Sequence, residues 1–168
     1  MAFKVFLSYS TDPEEQAIVW RLQTLATSQG IHVFVPQRAE HGSASTRRSP
    51  TGPGISGQIR REIDESDCVL AVITSKTGPA VEKELSYAQG KEKLIIPLVE
   101  EGVHHGTFLK TFKPVFRFSR LNGNPGMVEK EVFEFLKTQK KAKEVVQAVG
   151  ALVTVGMGLL LLAALSKD

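Results

Sequence analysis

The residues of this chain with chemical potential fall in a few short stretches. Ser8, Tyr9 and Ser10 put three hydroxyls in a row directly after an apolar run, and hydroxyls both donate to and accept from sugars and phosphates. Taken as bare residues, they serve equally well as loop caps. Arg38, Arg47 and Arg48 lie in a segment rich in Gly, Ser and Pro, residues 36–54. Guanidinium groups there can grip a pyrophosphate bidentately or stay as solvated loop charge. Glu82, Lys83 and Glu84 open a helical pattern, where acids are favoured by the positive end of the dipole and need no other role. The single cysteine, Cys68, sits in an apolar run and reads as a small core residue in a reducing compartment. His32, His41, His104 and His105 do not fall at a ligand spacing with Cys or acidic partners, so no metal site is expected. A Gly-Lys-Ser/Thr phosphate loop is absent, as is a GxGxxG after the first strand. The acids that a phosphoacceptor site would need at the end of that strand are absent too.

Alternating elements position these groups. Residues 3–7 form a short apolar strand. Asp12 and Pro13 then open a helix, with Glu15 three residues after Asp12 as in a capping box and Ile18, Leu22 and Leu25 marking an apolar face up to Gly30. Residues 31–35 make a second strand, and the long loop 36–54 follows, a length that is uncommon without a function. Ile55, Ile59 and Ile63 are spaced as a helix over residues 55–65, and 68–74 is a continuously apolar strand. A helix over 79–89 starts at a proline and ends before Gly90; residues 94–99 form a buried strand and 116–118 a short edge strand. Val128, Val132, Phe135 and Leu136 line one side of a last helix over 127–143. The pattern predicts an α/β fold, flavodoxin-like, with a central parallel sheet of about five strands and its ligand site at the carboxyl ends of the strands.

The chain has 168 residues and a formal net charge of +3, but residues 1–136 carry sixteen basic and sixteen acidic side chains. The excess comes from Lys137, Lys140, Lys141 and Lys143 against Glu144. A neutral globular part argues against a nucleic-acid binder. Those lysines adjoin residues 145–165, which hold no charge and only Gln147 and Thr154 as polar residues. At about 1.5 Å per helical residue this run reaches roughly 30 Å, enough for a single-pass transmembrane helix. The lysines suit anionic lipid headgroups and, by the positive-inside rule, put the N-terminal domain in the cytoplasm, with 166–168 as a short tail. Nothing at the N-terminus reads as a signal peptide. Gly150, Thr154 and Gly158 form a small-residue stripe that can pair helices in a membrane.

Several motifs, in order, narrow the family. Val5-Phe6-Leu7-Ser8-Tyr9-Ser10, then Gly30 to Val35 as a G-x-x-V strand, then Ile59 through Ser66-Asp67-Cys68 as an I-x-x-S-D join, resemble a TIR (Toll/interleukin-1 receptor) domain. Val81-Glu82-Lys83-Glu84-Leu85-Ser86-Tyr87-Ala88, followed by Ile95-Ile96-Pro97-Leu98, resembles the block of the bacterial, NAD-cleaving members. The resemblance covers roughly residues 3–121, and the domain is bounded at 1–122, with 123–144 as a C-terminal helix and basic segment.

The resemblance implies a catalytic role for Glu84, a carboxylate that can stabilise the positive charge built on ribose when nicotinamide leaves. It implies that Ser8, Tyr9 and Ser10 line a nucleotide pocket, with Arg38 and Ser75 as further substrate-binding residues. Glu82 matches no such role and is expected at the surface. NAD+ enters as a substrate and no cofactor is required. Many cleaving members carry an aromatic residue four before the glutamate; this chain has Ala80, which leaves Tyr9 as a source of aromatic surface. The loop after the second strand, in this family, makes contacts between domains, so self-association is expected. These expectations combine as a membrane-anchored NAD+ hydrolase activated by self-assembly, in the style of bacterial antiphage defence. Two other readings compete: a non-enzymatic interaction module, and a membrane-disrupting effector with a TIR sensor.

Overall fold

A computed structural model describes residues 2–10, 12–37, 55–75, 77–103, 108–119 and 125–148. The elements run β1 Phe3–Ser8, α1 Pro13–Ser28, β2 Ile31–Phe34, α2 Gly57–Glu65, β3 Cys68–Ile73, α3 Pro79–Gly90, β4 Leu94–Glu100, β5 Phe116–Phe118 and α4 Pro125–Ala148. All four strand pairings are parallel and the sheet order is β2-β1-β3-β4-β5. Every residue of β3 is buried, as the unbroken apolar run requires of a strand covered on both faces.

The side-chain period of two sorts the strands between two cores. Phe3, Val5 and Leu7 of β1, with Cys68, Leu70 and Val72 of β3, pack with Ile18, Val19, Leu22 and Ala26 of α1 and Val132, Phe133 and Leu136 of α4. Phe6, Val69, Ala71 and Ile73 face the other way, against Ile63 of α2 and Val81, Leu85 and Ala88 of α3.

Helix ends show where local signals meet tertiary demands. Ser56 caps α2, its side chain accepting from the Ile59 amide, so this helix starts two residues after the expected Ile55. Leu25 was expected on the buried face of α1 but lies at its rim, 36% exposed, because Val19 and Ala26 fill the stripe instead. Gly90 stays inside α3; the left-handed residue of the turn into β4 is Glu92, at φ 54°. Glu15 departs furthest from expectation. Its carboxylate does not close a capping box on Asp12, whose amide bonds Ser10 Oγ at 3.2 Å. It reaches instead to the Ser10 amide at 2.6 Å and, with its other oxygen, accepts from the Thr74 hydroxyl.

The lysines of α4 next to the predicted span are engaged in different ways. Lys140 Nζ donates to the carbonyls of Gln29 and Gly30 at 3.1 and 3.3 Å, and Lys143 pairs with Asp67 at 2.8 Å. Lys137 pairs along its own helix with Glu134. Lys140 and Lys143 reach partners off their own helix because α4 lies against the body, whereas the Lys137 pair is exposed. Among the described residues no helix is long and apolar enough to cross a membrane. The predicted span and the Gly150, Thr154 and Gly158 stripe lie, from residue 149 onward, outside the described residues.

Candidate active site

The carboxyl ends of β1 and β3 adjoin at the centre of the sheet. From β1 the chain crosses to β2 on one side, and from β3 to β4 on the other. A crevice opens where connections diverge in this way, so it is where open parallel sheets hold ligands.

Glu84 lies beside the carboxyl end of β1, at that point of divergence. It lies on α3, whose buried face is Val81, Glu84, Leu85 and Ala88, the spacing of an apolar stripe with a carboxylate in one slot. The side chain is 4% exposed and Oε2 accepts from Ser8 Oγ at 2.5 Å, with Ser8 itself fully buried. The two meet because Ser8 follows Phe6 on the α3 face of β1, and its neighbour in β3 is the small Ala71. Burying a carboxylate is costly unless donors replace its water, and the Ser8 hydroxyl is one such donor. Glu82, by contrast, is exposed in the first turn.

Across the sheet a second carboxylate is held in the same way. Glu15 is fully buried, and through Ser10 and Thr74 it ties the loop after β1 to the end of β3. Thr74 is tied onward to the following turn, its amide bonding Thr77 Oγ1 and its carbonyl accepting from the same hydroxyl, both at 2.9 Å. The spacing of Glu15 to Asp12 suits a cap. Its partner Thr74 is 59 residues away, so local pattern carried no trace of the contact.

The remaining expected residues separate. Ser10 is half-buried and its Oγ serves the Asp12 amide. Ser75 is exposed in the turn after β3, and its amide donates to Glu100 Oε2 at 3.5 Å. Tyr9 turns toward the α1 and α4 core, 7% exposed, and its hydroxyl donates to the Pro36 carbonyl at 3.0 Å. The ring packs with the core, and the hydroxyl holds the chain just after β2. Ala80 is exposed in the first turn of α3. Arg38, Arg47 and Arg48 lie outside the described residues. Burial pushes the Cys68 thiol pKa far up, with the Asp67 charge adding to the rise, so Cys68 is an inert core thiol.

The sequence matches the TIR domain family over residues 5–124. The chain belongs to that family. This TIR domain also resembles the solved structure of a CMP N-glycosidase, BcmB, from Clostridium botulinum, with a TM-score of 0.54 at 18% identity, covering 79% of this chain and 98% of that one. The solution structure of BlsM is similar to the same degree, with a TM-score of 0.54 at 19% identity over 92% of this chain and 98% of that one. At such identities the likeness is one of fold. No curated protein matches the sequence.

Proposed function

We propose that this TIR protein is a membrane-anchored NAD+ hydrolase in which Glu84 faces the ribose of the bound nucleotide, active when domains assemble, in bacterial antiphage defence. The observation that carries the reading is the buried Glu84 carboxylate, held by Ser8 at the point where the chain's crossovers diverge. A carboxylate in the apolar stripe of a helix costs stability, and a role in chemistry accounts for its presence.

The bond between ribose C1′ and the nicotinamide nitrogen breaks with its electron pair leaving on the ring, so nicotinamide departs neutral and needs no strong general acid. Positive charge develops on the sugar, where the fixed negative charge of Glu84 stabilises it. Water then bonds to C1′ and its proton passes to the carboxylate or to solvent, leaving ADP-ribose. Ser8 orients the carboxylate for this work. Sharing a fold with an enzyme named for cleaving the N-glycosidic bond of CMP supports a bond of that class and makes CMP the natural control substrate.

The test is nicotinamide release from NAD+ by the purified full chain, in detergent and in liposomes, beside base release from CMP. Wild type is expected to release nicotinamide, more in liposomes, and Glu84→Ala to lose at least about 100-fold in rate, the scale of losing a transition-state electrostatic contact. Ser8→Ala is expected to lose less, about 10-fold, because it removes a positioning bond. A Glu84→Ala protein with full activity, or a wild type silent in both settings, sinks the proposal.

A second reading, a non-enzymatic interaction module, draws on Ala80 standing where the resembling enzymes carry an aromatic residue and on Tyr9 bonding Pro36. Its mark is partner binding that survives Glu84→Ala and is lost on changes within residues 36–54.

A further inference from the structure

The course of α4 decides which way the domain faces. Its first residues follow β5 at the carboxyl edge of the sheet, and it packs on α1 and β5, with the Phe135 and Phe116 rings 6.0 Å apart. Its last turns reach the opposite edge, where the strands begin. There Lys140 caps the C-terminus of α1 at Gln29 and Gly30. Lys143 grips Asp67, the residue before β3, and Asp67 Oδ2 also accepts from the Lys4 amide at 2.8 Å. Both side chains of this pair are largely covered, 19% and 15% exposed. Two residues later the helix has outrun the body: Val145 is 61% and Val146 41% exposed. The sequence continues from there to residue 165 without a charge.

We propose that the amino-terminal edge of the sheet, around Lys4, Glu65, Asp67 and Lys143, is the surface this domain turns toward a lipid bilayer, with the Glu84 crevice facing directly away. The inference rests on the membrane anchoring proposed above and adds orientation to it. The occupant is a bilayer because the unpacked end of α4 leads at once into the uncharged run, with no linker between the last body contact at Lys143 and Val145. A domain joined so closely has little freedom to tumble. Electrostatics contributes less to this orientation than the lysines suggest, since Lys4, Lys91 and Lys143 pair with Glu65, Asp64 and Asp67 at that edge, while Lys93 and Lys140 bond carbonyl oxygens and keep their charge. Binding therefore does not require anionic lipid.

One consequence is that the crevice stands one sheet height above the headgroups. Strand β1 spans six residues, so the two edges are about 17 Å apart at roughly 3.3 Å per residue. A site so placed meets soluble substrate and leaves its rim open to neighbours in the membrane plane.

The experiment places a single donor dye on the full chain at Ser28→Cys, by the amino-terminal edge, or at Ala80→Cys, by the crevice. Buried Cys68 stays unlabelled. Energy transfer is read to headgroup acceptors in vesicles of phosphatidylcholine alone and with added phosphatidylserine, after flotation. The expected result is flotation with both lipids, and a Ser28→Cys dye closer to the headgroups than the Ala80→Cys dye by about one sheet height, ~17 Å. A flexible Gly-Ser insertion after Val146 should keep flotation and erase that difference. Flotation with equal or reversed distances overturns the orientation and leaves anchoring intact. Flotation only with phosphatidylserine overturns the claim that anionic lipid is unnecessary. Failure to float overturns the anchoring, and the orientation with it.

Discussion

Glu84 and Glu15 are two buried acids near helix starts, Glu15 in the first turn of α1, where negative charge is welcome, and Glu84 one turn further into α3. What separates them from Glu82 is burial, which neither position nor neighbours in sequence announces. Each is satisfied by a hydroxyl brought from a distant strand end, Ser8 for Glu84 and Thr74 for Glu15. Cys68 is the opposite case, a residue whose apolar surroundings predicted its behaviour. Burial raises its thiol pKa, so the folded chain keeps a proton that the unfolded chain releases above about pH 8.5. The folded state then binds more protons than the unfolded state, and stability falls as pH rises through that range, by up to about 1.4 kcal/mol per unit. Urea melts at pH 8 and pH 10 should show the loss in wild type and a smaller one in Cys68→Ala. The native thiol should also resist iodoacetamide until the protein unfolds.

Elements were legible in proportion to how local their causes are. The unbroken apolar runs marked β3 and β4 because parallel strands covered on both faces need no alternation. The proline at the start of α3 marked that helix for a similar reason, since its ring suits the first turn and it has no amide to leave unpaired. Leu25 misled because an apolar spacing of three and four is met by two overlapping stripes on α1, and only packing against β1 and β2 selects the one through Val19 and Ala26. Between α1 and β2, Gly30 adopts φ +63°, and a Cβ there would lie 3.2 Å from Lys140 Nζ. Gly30→Ala should therefore cost about 1 kcal/mol from the backbone alone. It should cost more if Lys140 is displaced from the end of α1, read as a lower midpoint in urea. Val132, Phe133 and Leu136 make α4 part of the main core, which explains why Lys140 and Lys143 reach partners on the body.

At the scale of the molecule, the TIR fold sets the Glu84 crevice at one edge of the sheet and the exit of α4 at the other. If residues 145–165 anchor the chain, deleting them should abolish flotation while sparing the fold, since α4 keeps its core contacts up to Lys143. Nicotinamide release should then fall with dilution, because the membrane no longer raises the local concentration of domains. Equal release per molecule from the truncated and full chains across dilutions rules out that role. Sequence alone determined the alternation of strands and helices, the parallel sheet, the TIR family and the position of Glu84 in its block. These follow from hydrophobic period, turn residues and ordered motifs, all readable along the chain. Only the tertiary structure decided that Ser8 holds Glu84, that Glu15 serves Ser10 and Thr74, that Tyr9 belongs to the core and that α4 is clamped at Gly30 and Asp67. Apart from the Ser10 bond to Glu15, those contacts join residues 27 to 111 positions apart or turn on a strand's choice of face. Such pairings arise only when the sheet forms and its two faces close.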